Sequence, residues 1–279
     1  MSRVFDALQR SGLEQSGVEY PDMLSVATKV FEAAQQPPEA PVSTALEFPS
    51  LEVVARRPSR LVFLTEPEGL AAEKFRLLGV RMRQLQQGRP LKNVLVTSTI
   101  AEEGKSMVSA NLAGVLARRK RQKVLLIEGD LRRPTLCHQF GLGNLEGLSE
   151  WLRSDTQTLT NIYHLEEADF WILPAGQPPD NPPELLQSAR LTALMTQVAA
   201  LFDWVIVDSP PLLPLADTTI WARVTDGALL VVREGATEKT PLKRGLEILK
   251  KNDLLGVVLN ACSHGNHHNY YQRYAGTAK

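Results

Sequence analysis

An apolar run, Val94 to Val96, passes through Thr97, Ser98 and Thr99 into a tight loop that ends on Gly104-Lys105-Ser106, where a helical pattern begins. A strand that turns into a helix through so short a loop calls for a parallel sheet with the helix packed back on it. The loop leaves backbone N–H groups at a helix N-terminus, which suits the phosphates of a nucleotide. Lys105 adds a point charge for the outer phosphates, and the Ser106 hydroxyl offers a ligand to Mg²⁺. The residues expected to meet the nucleotide are Thr99, Ala101, Glu102, Glu103, Gly104, Lys105, Ser106 and Met107. Gly-Lys-Ser alone is a weak signal. The usual first glycine is Thr99 here, glycine is also missing at Ala101 and Glu102, and an ordinary loop-to-helix junction competes with the phosphate reading.

Two further segments favour phosphate. Val124 to Ile127 is an apolar strand that runs into Glu128-Gly129-Asp130-Leu131-Arg132-Arg133-Pro134, and Val205 to Val207 runs into Asp208-Ser209-Pro210-Pro211. Acids delivered at the carboxyl ends of buried strands lie at the crevice where open α/β sheets bind ligands. Ser106, Asp130 and Asp208 are therefore the expected Mg²⁺ ligands, since one hydroxyl and two carboxylates suffice for an ion that keeps several waters. Simple helix capping after a strand is the bland alternative for both aspartates.

Apolar strands fall near 93–97, 123–128, 170–174, 204–208, 227–233 and 255–260, alternating with helical patterns near 105–119, 134–140, 147–153, 183–201, 216–223 and 240–251. Such alternation predicts an α/β fold of the P-loop NTPase type, with a mostly parallel twisted sheet covered by helices on both faces. A further helix is expected from Pro67 to Gly88-Arg89-Pro90. Residues 1–60 read as a short amphipathic helix (Val4, Phe5, Leu8) followed by a Pro-containing flexible linker, 61–262 as the folded domain, and 263–279 as a mobile tail. Formal net charge is zero over 279 residues, so no global field favours nucleic acid. The two cysteines, Cys137 and Cys262, lack metal-type spacing and fit a reducing compartment. With no apolar run long enough to span a bilayer, a cytoplasmic protein is expected.

Assembled, these segments resemble the bacterial tyrosine kinases of capsule and exopolysaccharide synthesis over roughly residues 60–279. Thr97 to Ser106, followed by Ala110-Asn111-Leu112-Ala113, looks like the family's first nucleotide motif. Glu128 to Pro134 looks like its second, and Asp208 to Pro211 like its third. Leu173-Pro174-Ala175-Gly176 and Asn181 to Leu186 are similar to other recurrent stretches. Tyr270-Tyr271-Gln272-Arg273-Tyr274 resembles the tyrosine cluster that members phosphorylate on one another. The resemblance implies ATP and Mg²⁺ as cofactors, self-association (a ring in relatives, its form here left open), and a separate membrane-embedded chain-length regulator that activates the kinase and recruits it to the inner face of the membrane. Three departures stand out. Glu102 replaces a glycine, Glu128 an aspartate, and Gly79 the second arginine of the assembly helix that starts Glu73-Lys74-Phe75-Arg76.

Catalysis is assigned to Lys105, Glu128, Asp130 and Arg132. Glu128 is a candidate base for an incoming tyrosine hydroxyl or a support of the Mg²⁺ shell, with equal weight. Arg132 touches phosphate, braces the acids, or makes a surface ion pair. Tyr270, Tyr271 and Tyr274 are the expected acceptors, because they sit in polar sequence without apolar partners; an aromatic docking patch is the alternative. The cluster His264, His267 and His268 lacks a fourth metal ligand. Two other functions compete with the kinase. A partition-type ATPase switch would carry a lysine at Ile100, and a catalytically weak kinase-fold scaffold would explain Glu102.

Overall fold

The structure is a computed structural model that describes residues 48–54, 60–118, 122–214, 216–249 and 254–262. The expected N-terminal helix, most of the linker, the three tail histidines and Tyr270, Tyr271 and Tyr274 lie outside the described residues. In chain order the elements are β1 (Ser50–Leu51), α1 (Val62–Thr65), α2 (Leu70–Gly88), β2 (Asn93–Ser98), α3 (Lys105–Ala117), β3 (Val124–Glu128), α4 (Leu136–Phe140), α5 (Leu148–Arg153), β4 (Tyr163–Leu165), β5 (Phe170–Leu173), α6 (Pro182–Leu186), α7 (Ala189–Leu201), β6 (Trp204–Asp208), α8 (Asp217–Ala222), β7 (Gly227–Arg233), α9 (Lys239–Ile248) and β8 (Leu254–Asn260).

The eight strands form one sheet in the order β1-β4-β5-β3-β6-β2-β7-β8. Every neighbouring pair is parallel except β4 with β5. Residues alternate between the two faces as the pleat requires. Val94, Val96, Val124, Leu126, Trp204 and Ile206 join one core with Phe63, Met82 and most of α3. Leu95, Leu125, Ile127, Val205 and Val207 join the other, with Trp151, Leu191, Met195 and Trp221. Both faces being covered explains why β2, β3 and β6 are apolar runs rather than alternating strands.

Register is what positions the site. Asp208 pairs with Val96 of β2 on one side and with Glu128 of β3 on the other. The three strand ends that carry the phosphate loop and the acids therefore stand side by side.

Helix α3 is buried on nearly all sides, so its sequence is small and apolar all round. Its one buried amide is fully used. Asn111 Oδ1 accepts the Phe63 N–H at 3.2 Å, while Nδ2 donates to the carbonyls of Arg60 and Met107, each at 2.8 Å. Gly79 of α2 lies against α3, where a Cβ would stand 3.2 Å from Val115 Cγ2. The residue that departs from the family pattern thus lets two helices approach closely.

The structure differs from the sequence reading at several points. The unit that contains the sheet starts at Phe48, not at residue 61. Phe48 stacks on Phe202 at 6.2 Å, and β1 pairs with β4. Strands β1 and β4 and helix α1 are additional elements. The helix expected over 183–201 is two, because Ser188 is extended (φ −65, ψ 149) and starts α7 afresh.

Gly114 of α3 faces the ring of Phe63, which a Cβ would overlap. Alanine in a helix interior is favoured over glycine by about 1 kcal/mol, but overpacking costs about 1–3 kcal/mol. Gly114→Ala is therefore expected to destabilise the fold by a net ~1 kcal/mol, read as a lower urea midpoint of unfolding. An unchanged or higher midpoint would contradict this packing.

Candidate active site

The loop between β2 and α3 holds two residues in the left-handed region, Glu102 at φ 65 and Gly104 at φ 94. Glycine adopts that region freely, whereas a glutamate is strained there by roughly 1 kcal/mol. The geometry is held by Glu103, whose side chain turns inward and is buried. Its Oε2 accepts the Ile100 N–H at 2.9 Å. The sequence places the Glu103 backbone N–H among the phosphate contacts; its carboxylate braces the loop from beneath. Thr99 is likewise buried at the foot of the loop, with its carbonyl taken by the Leu213 N–H at 3.1 Å. Ala101, Glu102, Gly104, Lys105, Ser106 and Met107 do line a cleft of about 1240 Å³.

Lys105 opens α3 and points back to β3. Its Nζ is 3.0 Å from Asp130 Oδ2 and 3.5 Å from Ser106 Oγ. Burial works against its positive charge, but Asp208, Asp130 and Glu128 outweigh that and hold the ammonium above its ordinary range. Asp130 lines the cleft, and its second oxygen accepts the Arg133 N–H at 3.1 Å.

Asp208 ends β6 fully buried, behind the residues that line the cleft, and its Oδ1 accepts from Ser109 Oγ at 3.2 Å. Burial pushes its carboxyl up, against the pull of Lys105 and of the Ser106 hydroxyl.

Glu128 does not reach the cleft. Gly129 rests on Trp221, which donates Nε1–H to its carbonyl at 3.2 Å, so that Glu128 turns in and Asp130 turns out. Glu128 Oε1 accepts the N–H groups of Thr135 and Leu136, both at 2.5 Å, and Oε2 that of Ala175 at 3.2 Å. It caps the start of α4. Burial raises its carboxyl, and these backbone bonds only partly offset the rise. Both oxygens are thus engaged by backbone N–H groups, and Glu128 is not among the residues that line the cleft.

Arg132 lines the cleft and forms a bidentate pair with Asp217 of α8, at 2.8 Å and 3.2 Å. Asp217 is 1% exposed and aims the guanidinium. Of the three roles open to Arg132, the ion pair is the one the geometry displays, with an exposed guanidinium held by a buried carboxylate at the rim of the cleft. Sequence reasoning missed Asp217, which lies far along the chain in a segment read only as helix. It also missed Arg233, at the end of β7 and on the cleft wall. A charged residue ending an otherwise apolar strand was the available signal.

A carboxyl held above its ordinary range binds its proton more readily folded than unfolded, so it opposes folding increasingly as pH climbs through that window. Asp208→Asn is therefore expected to raise the thermal midpoint at neutral pH, by about 2–4 °C for ~1 kcal/mol in a domain of this size. The gain should shrink as pH falls into the ordinary carboxylate range. A lower midpoint at neutral pH would mean that attraction to Lys105 outweighs burial.

No family model matches the chain. Tyrosine-protein kinase YwqD of Bacillus subtilis is 36% identical over 218 residues, which cover 77% of this chain and 92% of that protein. Among solved structures, the chimerical protein CapA2B2 superposes with a TM-score of 0.69 at 30% identity, covering 78% of this chain and 96% of that one. The kinase domain of Escherichia coli tyrosine kinase ETK superposes with a TM-score of 0.66 at 30% identity, covering 74% and 82%. With that likeness spanning the phosphate loop and both acid-bearing strand ends, the chain belongs to the bacterial tyrosine-protein kinases.

Proposed function

We propose that the cleft binds Mg²⁺·ATP and that the γ-phosphoryl group passes to tyrosine hydroxyls of the C-terminal segment of a neighbouring copy. The observation that carries this reading is the lysine of the loop, drawn between a cleft-facing carboxylate and a buried one at adjoining strand ends. Phosphoryl transfer needs positioning and charge neutralisation more than covalent chemistry. Ala101 to Ser106 would surround the β- and γ-phosphates, with Lys105 moving from Asp130 to the phosphate oxygens. Arg132, aimed by Asp217, and Arg233 add positive charge to the walls.

The donor set fits Mg²⁺. Ser106, Asp130 and Asp208 are hard oxygen donors, and the Lys105 ammonium already lies among the first two. Among the described residues no group of three His, Cys, Asp or Glu could hold a metal. That suits an ion held largely by phosphate and water. When bound, Mg²⁺ would neutralise charge developing on the phosphates. Asp130 lines the cleft whereas Glu128 does not, so in this reading Asp130, once Lys105 has moved to the phosphates, would receive the tyrosine proton, while Glu128 fixes the start of α4.

The acceptors in this reading are Tyr270, Tyr271 and Tyr274. Each phosphate would add about −1.5 to −2 charges, and repulsion from Asp130 and the buried Asp208 would loosen assembly. Among the described residues no helix is long and apolar enough to cross a membrane. Recruitment by a separate membrane-embedded regulator of polysaccharide chain length, with self-association at the membrane and a role in capsule or exopolysaccharide export, completes the proposal. A weakly active scaffold is the second reading, and Glu102 favours it, because a glutamate in the left-handed region lines the phosphate side of the loop.

A mixing experiment separates these. Lys105→Ala with an intact tail is incubated with Mg²⁺, labelled ATP and a partner whose three tail tyrosines are Phe. The expected result is label on the Lys105→Ala chain, with Lys105→Ala alone labelled about 100-fold less than wild type, ~2.7 kcal/mol of lost stabilisation. Label on the tyrosine-free chain would reject the acceptors, and none on either chain would favour the scaffold.

A further inference from the structure

Glu103 is a buried carboxylate that the nucleotide reading does not use. Glu102 and Gly104 face the cleft, but the Glu103 side chain turns away from it and is 1% exposed. A carboxylate so placed is costly unless its oxygens are satisfied, and the groups that satisfy it come from three places in the chain. The Ile100 N–H closes the loop on itself. The Arg233 N–H at the end of β7 donates to Oε1 at 3.3 Å, and the Thr237 hydroxyl, just ahead of α9, donates to the same oxygen. The Glu103 carbonyl accepts from Asn260 Nδ2 at 2.8 Å.

Asn260 is the last residue of β8, and its amide lies against Gly104 so closely that any side chain at 104 would collide with it. Strand β8 is the sheet edge, paired with β7 alone, and its outward residues Val257 and Leu259 are more than half exposed. The chain then runs on to Ser263 and the three tyrosines. The residue at the root of that segment thus touches the phosphate loop at the two positions, Glu103 and Gly104, that precede the lysine.

We propose that Glu103 is a positioning residue for the phosphate loop and that, through Asn260, it couples nucleotide binding to the root of the C-terminal segment. The inference rests on the nucleotide reading of the cleft. Glu103 holds the loop in the form that presents its N–H groups to phosphate while Glu102 bears the strain. A nucleotide that favours this form also favours the Asn260 contact, and a displacement of β8 weakens nucleotide binding by the same factor. Engagement of the tail elsewhere would then be felt at the phosphates.

The test uses the full chain, a fluorescent ATP analogue with Mg²⁺, and amide exchange over 254–262. In wild type the analogue should slow exchange in that segment. Asn260→Ala should weaken binding about tenfold and abolish the slowing, and Glu103→Gln should do the same. The double variant should fall well short of a hundredfold loss. Asn260→Leu keeps the approximate size and adds no charge but loses the donor, and should behave like Asn260→Ala; if Asn260 only filled space, Leu would behave like wild type. Should Glu103→Gln fail to fold, the two Asn260 variants decide. Wild-type affinity and wild-type slowing in Asn260→Ala, or a fully multiplicative double variant, would overturn the coupling. A wild-type chain that binds no analogue would instead remove the nucleotide reading, and the coupling with it.

Discussion

A lysine stays charged in a protein interior only with carboxylates at hand, and each buried carboxylate in turn needs a cation or a set of hydrogen bonds. Lys105, Asp130, Asp208 and Glu128 meet that condition together. The lysine is stabilised in its charged form by all three acids, while burial holds Asp208 and Glu128 above their ordinary range. Backbone N–H groups answer Glu128, which leaves Asp130 and Asp208 to share one ammonium. In the proposed function a divalent cation arriving with a triphosphate would suit that pair: the metal would answer the acids and release the lysine toward the phosphates.

The sheet makes this cluster possible at little local cost. Because Asp208 pairs with both Val96 and Glu128, the acids need no unusual backbone to meet the loop. The unusual backbone is confined to the loop itself, at Glu102 and Gly104. Its support comes from elements distant in sequence, the ends of β7 and β8 and the turn before α9, all converging on Glu103. A second ring of support acts in the same way. Asp217 aims Arg132, and Trp221 seats Gly129 so that the acids on either side of it face opposite ways.

The central strands were legible because burial on both faces leaves a continuous apolar signature, which β2, β3, β6 and β7 all carry. β1 and β4 were not, since two or three residues at a sheet margin are too few for any period to show. Ser188 hid the break between α6 and α7, because its extended backbone does not interrupt the apolar spacing. In the site, Lys105, Ser106, Asp130 and Asp208 were legible from residue type and place at strand ends. Glu103 and Glu128 were legible as residues near the site but not in direction. Whether a carboxylate faces a cleft or a nest of backbone N–H groups depends on partners such as Thr135, Ala175 and Thr237, which no local pattern announces. Asp217 was hidden for the same reason, its partner lying across the fold.

Calorimetric titration of ATP into the full chain, with and without Mg²⁺, tests the central claim most directly. The charge cluster predicts that wild type binds ATP more tightly when Mg²⁺ is present and that Asp130→Asn loses that dependence. Equal affinity with and without the metal in both proteins would contradict it.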